Sequence, residues 1–176
     1  MKKQKKKSPF LLSTFYFLFS RRSGQSVAEA IVALGVLVVG LLGILALLSR
    51  SLGLSRFISN NYVATYLAGE GVEIVKNLID ANVMNLRLWN QNLSAGNYEA
   101  THNSQVLESS RGRTLFYDDA SKLYKYSGSS QTGFKREIRL TTPSPDEIQV
   151  NVIVRWTTKG AQSSVNLEDH FYNWRQ

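Results

Sequence analysis

Three residues near the N-terminus combine types and spacing that allow chemistry: Gly24, Gln25 and Glu29. Gly24 follows the basic pair Arg21-Arg22 and has no side chain, so the peptide bond after it offers a processing enzyme little steric bulk. Cutting that bond frees the amine of Gln25, which can be positive near neutral pH. Glu29 is a lone carboxylate at the head of an apolar run. A charge at the edge of a membrane helix costs a few kcal/mol, so it points to a function and calls for a partner. In an array of staggered parallel helices, the amine of one copy can meet Glu29 of its neighbour. The two charges would desolvate together and enforce a register. The plainer alternative is that Glu29 snorkels to the interface.

Elsewhere the chemistry is thin. The chain has no cysteine, so disulfides, thiolate nucleophiles and Cys-based metal sites are excluded. His102 and His170 stand apart, with no spacing that pairs them as ligands. No Gly-rich phosphate loop and no nucleophile elbow occurs. Asp118-Asp119 reads as a turn rather than a calcium loop, because the further oxygen ligands and the glycine are missing. Basic and aromatic residues alternate at Tyr124-Lys125-Tyr126 and Phe134-Lys135-Arg136. Nucleic acid would use such residues, but a solvated strand face has the same composition. No catalytic, cofactor-binding or metal-binding set emerges, and a non-enzymatic protein is expected.

The element that must carry Gly24, Gln25 and Glu29 is Ala30 to Leu48, 19 residues of Ala, Ile, Val, Leu and Gly. As a helix it spans roughly 28 Å, close to the hydrocarbon thickness of a bilayer. It is apolar all round, which argues against the core helix of a soluble protein. The formal net charge is +8, and seven of the 21 basic residues precede Gly24 with no acidic residue among them. Removing residues 1–24 leaves 14 basic against 13 acidic residues, or +1. The basicity therefore belongs to the leader, where Arg21 and Arg22 set topology: N-terminus cytoplasmic, remainder outside. The lysines followed by Phe10 to Phe19 look like the start of a secretory signal, but Arg21-Arg22 stand where a small-x-small cleavage site would be. A twin-arginine export signal fits poorly with so long an apolar run and with Glu29 at its start. Gly35, Gly40 and Gly43 are either helix-packing notches or simply tolerated.

Gly24, then Gln25-Ser26-Val27-Ala28, then Glu29 heading a hydrophobic helix resembles the prepilin signature of the type IV pilin and pseudopilin families. Val32-Ala33-Leu34-Gly35-Val36-Leu37 is similar to the minor-pilin, pilus-modification subgroup. The resemblance implies cleavage between Gly24 and Gln25 by a membrane prepilin peptidase, N-methylation of Gln25, and assembly with other pilin subunits through the N-terminal helix. Gln25 stands where the family usually has phenylalanine, the hydrophobic segment has no proline, and the cysteine pair of many major pilins is missing. These departures favour a minor subunit.

Beyond the apolar run, Leu54 to Val83 is amphipathic. Leu54, Phe57, Ala64, Ala68, Val72, Val75 and Ile79 fall on one arc expected to pack on a head, with Asn61 as an exception. Val63, Tyr66, Leu67 and Ile74 are expected to face neighbouring subunits. Together the segments predict a helix of roughly 55 residues, unless it breaks near Ser51-Leu52-Gly53. Residues 84–112 read as a connecting loop with a short helical piece near Leu86-Arg87-Leu88-Trp89. Thr114 to Tyr117 and Leu123 to Tyr126 read as a hairpin, and Phe134 to Thr142 as a strand whose alternation Arg136 interrupts. Ile148, Val150, Val152, Val154 and Trp156 alternate with polar neighbours as the clearest strand, and Ser163 to Phe171 follows a glycine turn.

The expected fold is α+β and pilin-like: a long N-terminal helix, transmembrane then amphipathic, packed on a C-terminal antiparallel sheet. Its segments are leader 1–24, transmembrane helix 25–49, amphipathic helix 50–83, loop 84–112 and sheet 113–176. The expected localisation is the cytoplasmic membrane in single-pass form, then an extracellular filament. The rivals are a pseudopilin of a secretion system and an unprocessed, membrane-anchored binding domain. A membrane-anchored enzyme is weaker still.

Overall fold

The computed structural model describes residues 23–158 and 160–174, with side chains from residue 26 onward. Arg21, Arg22 and the Phe10–Phe19 stretch lie outside the described residues. The chain divides into two units, the first ending at Leu52 and the second beginning at Gly53. Helix α1, Ser23–Met84, contributes to both, and its helical bonding includes Ser51-Leu52-Gly53.

In the first unit every described residue from 26 to 52 is exposed. Their Leu, Ile and Val side chains are left uncovered by the other described residues. The helix is long and apolar enough to cross a membrane. A methyl group added at Gly35, Gly40 or Gly43 would meet no neighbouring atom within 4 Å.

The second unit is α+β. The C-terminal half of α1 packs against antiparallel strands. The strands are β1 (Gly96–Glu99), β2 (Glu108–Ser109), β3 (Phe116–Asp118), β4 (Leu123–Lys125), β5 (Ser130–Gln131), β6 (Lys135–Ser144), β7 (Glu147–Thr158) and β8 (Ala161–Tyr172). A five-stranded sheet has the order β2-β1-β6-β7-β8, and a small sheet has the order β4-β3-β5. β7 forms the centre of the core: Ile148, Val150, Val152, Val154 and Trp156 are all buried, as period-two patterning demands. The β3–β4 hairpin forms as expected, with Phe116 opposite Lys125.

Three expectations need correcting. The segment 84–112 is more than a loop: β1 joins the main sheet, pairing Tyr98 with Ile138, and β2 extends it. The stretch Leu86-Arg87-Leu88-Trp89 makes turns instead of a helix, with Leu86 at a positive φ of 58°. The buried face of α1 follows the expected arc at Ala64, Ala68, Val75 and Ile79 but departs from it on either side. Leu54 and Phe57 are largely exposed, whereas Leu67 and Ile74, expected to face neighbouring subunits, are buried.

The inclusion of Leu67 and Ile74 follows from side-chain size. Ala64, Ala68 and Gly71 are small and lie at helical spacing along the seam. They let the sheet come close, so Leu67 and Ile74 on the flank of that seam are drawn under it. At Gly71 a Cβ would sit 2.6 Å from Val152 Cγ1, closer than packed carbons tolerate. Gly71→Val is therefore expected to destabilise the head by about 1–3 kcal/mol through overpacking. Denaturant unfolding of the two proteins measures it, and equal midpoints would refute the close approach.

Candidate assembly site and ion networks of the head

Gly24 and Gln25 fall in the first turn of α1, and Glu29 follows one turn later. Residues 25 and 29, separated by about 6 Å of helical rise, lie on one side of the helix. Glu29 is exposed and makes no ion pair among the described residues. It is the only charged residue between Arg22 and Arg50. The chain thus carries an exposed carboxylate, with no ion pair among the described residues, on an exposed apolar helix.

A second exposed feature lies on the part of α1 that belongs to the head. Leu54, Ile58, Tyr62 and Tyr66 recur every four residues, and each is more than half exposed. By helical spacing, Tyr62 and Tyr66 lie on the side of α1 opposite the buried Ala64–Ala68–Gly71 seam. Their rings meet edge to face at 4.9 Å between centroids, with hydroxyls 3.1 Å apart. Sequence patterning places only Tyr66 of this stripe outward. The remaining members follow from i, i+4 spacing once the buried seam is known.

Inside the head, two ion networks are not legible as sites in the sequence. Arg136 occupies an inward position of β6, between solvent-facing Lys135 and half-buried Glu137. The strand alternation is therefore intact, with a guanidinium where an aliphatic residue would be expected. Its Nη1 donates to the Leu67 carbonyl of α1 at 3.1 Å and pairs with Glu70 Oε2 at 3.2 Å. Its Nη2 donates to the Ala100 carbonyl just beyond β1 at 2.6 Å. One planar fork thus ties α1, β1 and β6 together, a geometry that a lysine could not reproduce.

Glu99 ends β1 and is fully buried. Its Oε1 accepts from the backbone N–H groups of Arg111 (3.0 Å) and Arg113 (2.9 Å). Gly112 lies between them with φ +68°, a conformation that turns successive N–H groups toward one anion. Glu99 Oε2 accepts from Arg113 Nε at 2.6 Å, and the same guanidinium reaches Glu108 and lies 4.2 Å from the Tyr126 ring centroid. Burial alone would raise the Glu99 pKa. The Arg113 side chain and the two N–H groups outweigh burial and hold it below the ordinary 4.5. Burial pushes the nearby Tyr126 hydroxyl up to about 12.

The remaining candidates resolve locally. Asp118 accepts from Lys125 Nζ (2.8 Å), Ser121 Oγ (2.7 Å) and the Ala120 N–H (3.3 Å), as a turn residue does. Tyr124 and Tyr126 pack against the core and Phe134 belongs to it, which leaves Lys135 as the exposed member of those basic-aromatic runs. His170 is not isolated: Nδ1 lies 2.7 Å from Glu147 Oε1, and Nε2 lies 3.2 Å from Glu168 Oε1. The two carboxylates raise its pKa above 6.5. Cross-strand register brings them together, which linear spacing could not reveal. No protein family matches the chain, and neither curated proteins nor solved structures yield a match.

Proposed function

We propose that the chain is a structural, non-enzymatic subunit, of the minor class, of a type IV pilus or a related filament. A membrane prepilin peptidase would cut between Gly24 and Gln25 and the new amine would be methylated. The subunit would assemble with other pilin subunits through its N-terminal helix, with Glu29 as the polar contact in the apolar array. Before assembly it would be a single-pass protein of the cytoplasmic membrane with Arg21 and Arg22 on the cytoplasmic side. The observation that carries this reading is the conjunction at the N-terminus: a glycine, then a lone carboxylate, on a helix whose apolar residues from 26 to 52 are all exposed. The resemblance of Gly24 to Glu29 to the prepilin signature supports it, as does the α+β head.

N-terminal sequencing of the membrane-extracted protein tests the proposal. The expected mature chain begins at Gln25, and Gly24→Ala is expected to leave most of the protein as precursor. A chain that still begins at Met1 favours an unprocessed membrane-anchored binding domain. A start beyond Leu48 excludes a filament subunit, because the helix itself would be lost.

A further inference from the structure

A cavity of about 300 Å³ opens where the C-terminal end of α1 meets the last residues of β8. Trp89 and Trp174 supply aromatic walls, Asp80 and Asn173 supply polar atoms, and Tyr172 borders the cavity with its ring turned toward Glu147 and His170. Ile79 and Val83 form an apolar floor. This volume lies at the small end of ligand sites, which run from about 300 to 1,000 Å³.

The walls are held in place by the fold. Asn82 Nδ2 donates to the carbonyls of Trp89 (3.3 Å) and Gln91 (2.9 Å), which fixes the turn carrying Trp89. Asn173 is tied to the β6–β7 turn twice, by its N–H to the Asp146 carbonyl (2.9 Å) and by Nδ2 to Asp146 Oδ1 (3.2 Å). Tyr172 donates to Glu147 at 3.2 Å and stacks on His170. Trp174 remains 77% exposed, an unusual position for so large an apolar surface. Fixing Asn173 and the turn that carries Trp89 reduces the ordering cost of binding.

We infer that this cavity binds one pyranose unit of a glycan. A pyranose has an apolar C–H face beside a rim of hydroxyls, and a site for it needs an aromatic plane next to hydrogen-bond acceptors. Trp174 or Trp89 supplies the plane, and Asp80 Oδ1 and the Asn173 side-chain carbonyl supply the acceptors. The competing ligand for aromatic walls with a carboxylate is an organic cation. It is disfavoured because Lys76 Nζ, 3.2 Å from Asp80 Oδ2, sets a positive charge beside the site that repels a second cation. The inference does not depend on filament assembly, since every residue involved lies in the head.

The full-length protein in lipid nanodiscs is titrated with the methyl glycosides of glucose, galactose, mannose and N-acetylglucosamine, followed by saturation-transfer NMR. At least one glycoside is expected to bind saturably with a Kd of order 1–10 mM, as suits a single small ligand. Trp174→Ala and Asp80→Ala are each expected to weaken it about tenfold or more. Both residues are exposed, so unchanged thermal melting of the variants confirms that only the site has changed. Absence of saturable binding by all four glycosides up to about 100 mM overturns the inference. Binding that both variants leave intact overturns it too, as does binding of choline in place of the glycosides.

Discussion

Glu99→Ala is expected to cost the head about 3–5 kcal/mol, a large share of the roughly 5–15 kcal/mol that holds a domain together. The carboxylate is buried and is the shared acceptor of the Arg111 and Arg113 N–H groups and of Arg113 Nε. Removing it leaves those donors facing a void, and it takes one of two carboxylate partners from a guanidinium that is only one-third exposed. Glu99→Gln separates shape from charge. Its amide oxygen can still accept from the two N–H groups, but its NH2 opposes Arg113, so an intermediate loss is expected. Denaturant unfolding monitored by near-UV circular dichroism measures both. A loss below about 1 kcal/mol for the alanine variant would show that the network is dispensable. The pH profile gives a second check. Glu99 has a folded pKa below its ordinary 4.5, so its stabilisation is present above pH 4.5. That stabilisation is lost as pH falls through the folded value, and Glu99→Gln should lack this share of the acid sensitivity. His170 has the opposite sign: its pKa is raised, so its contribution is present below pH 6.5 and fades as pH rises through the folded value.

The parts of the fold that can be foreseen are those where one local rule decides. β7 alternates without exception and forms the core of the sheet, and the apolar run of α1 is helical and exposed as its composition requires. β1 escapes local rules because Gly96-Asn97-Tyr98-Glu99 is short and polar. Its strand state comes from pairing with β6 and from the buried acceptors of Glu99, both set by residues far away in sequence. The buried face of α1 is foreseen only in part. Patterning places Ala64, Ala68, Val75 and Ile79 inward, but it cannot show that the sheet comes close enough at Ala64, Ala68 and Gly71 to cover Leu67 and Ile74 as well. Arg136 looks like a break in a strand because local patterning cannot show that the Leu67 and Ala100 carbonyls await it. The N-terminal signature differs in kind. Gly24, Gln25 and Glu29 are fully readable in the chain, yet their proposed partners belong to other molecules. A single folded chain carries them without supplying those partners.

That division makes Glu29→Val the sharpest test of assembly. Glu29 is exposed and makes no ion pair among the described residues, so the head should melt at the same temperature in the variant. Valine is at least as compatible with a membrane helix, so insertion and cleavage after Gly24 should proceed. The filament should be affected instead. In the proposed array, the amine of each Gln25 enters an apolar surrounding, and Glu29 of a neighbour is the group that balances it. Leaving one charge of such a pair without its partner costs about 3–5 kcal/mol, or roughly 10²–10⁴ in the equilibrium for adding a subunit. Glu29→Asp keeps the charge but shortens the reach by one methylene, so a partial defect is expected. Quantitative immunoblotting of sheared filaments against the membrane fraction measures incorporation. For Glu29→Val it should fall well over tenfold while the processed protein accumulates in the membrane. Equal incorporation of the variant and the parent protein would remove the salt bridge from the assembly mechanism. The exposed Leu54–Ile58–Tyr62–Tyr66 stripe would then be the remaining candidate for specifying contacts between subunits.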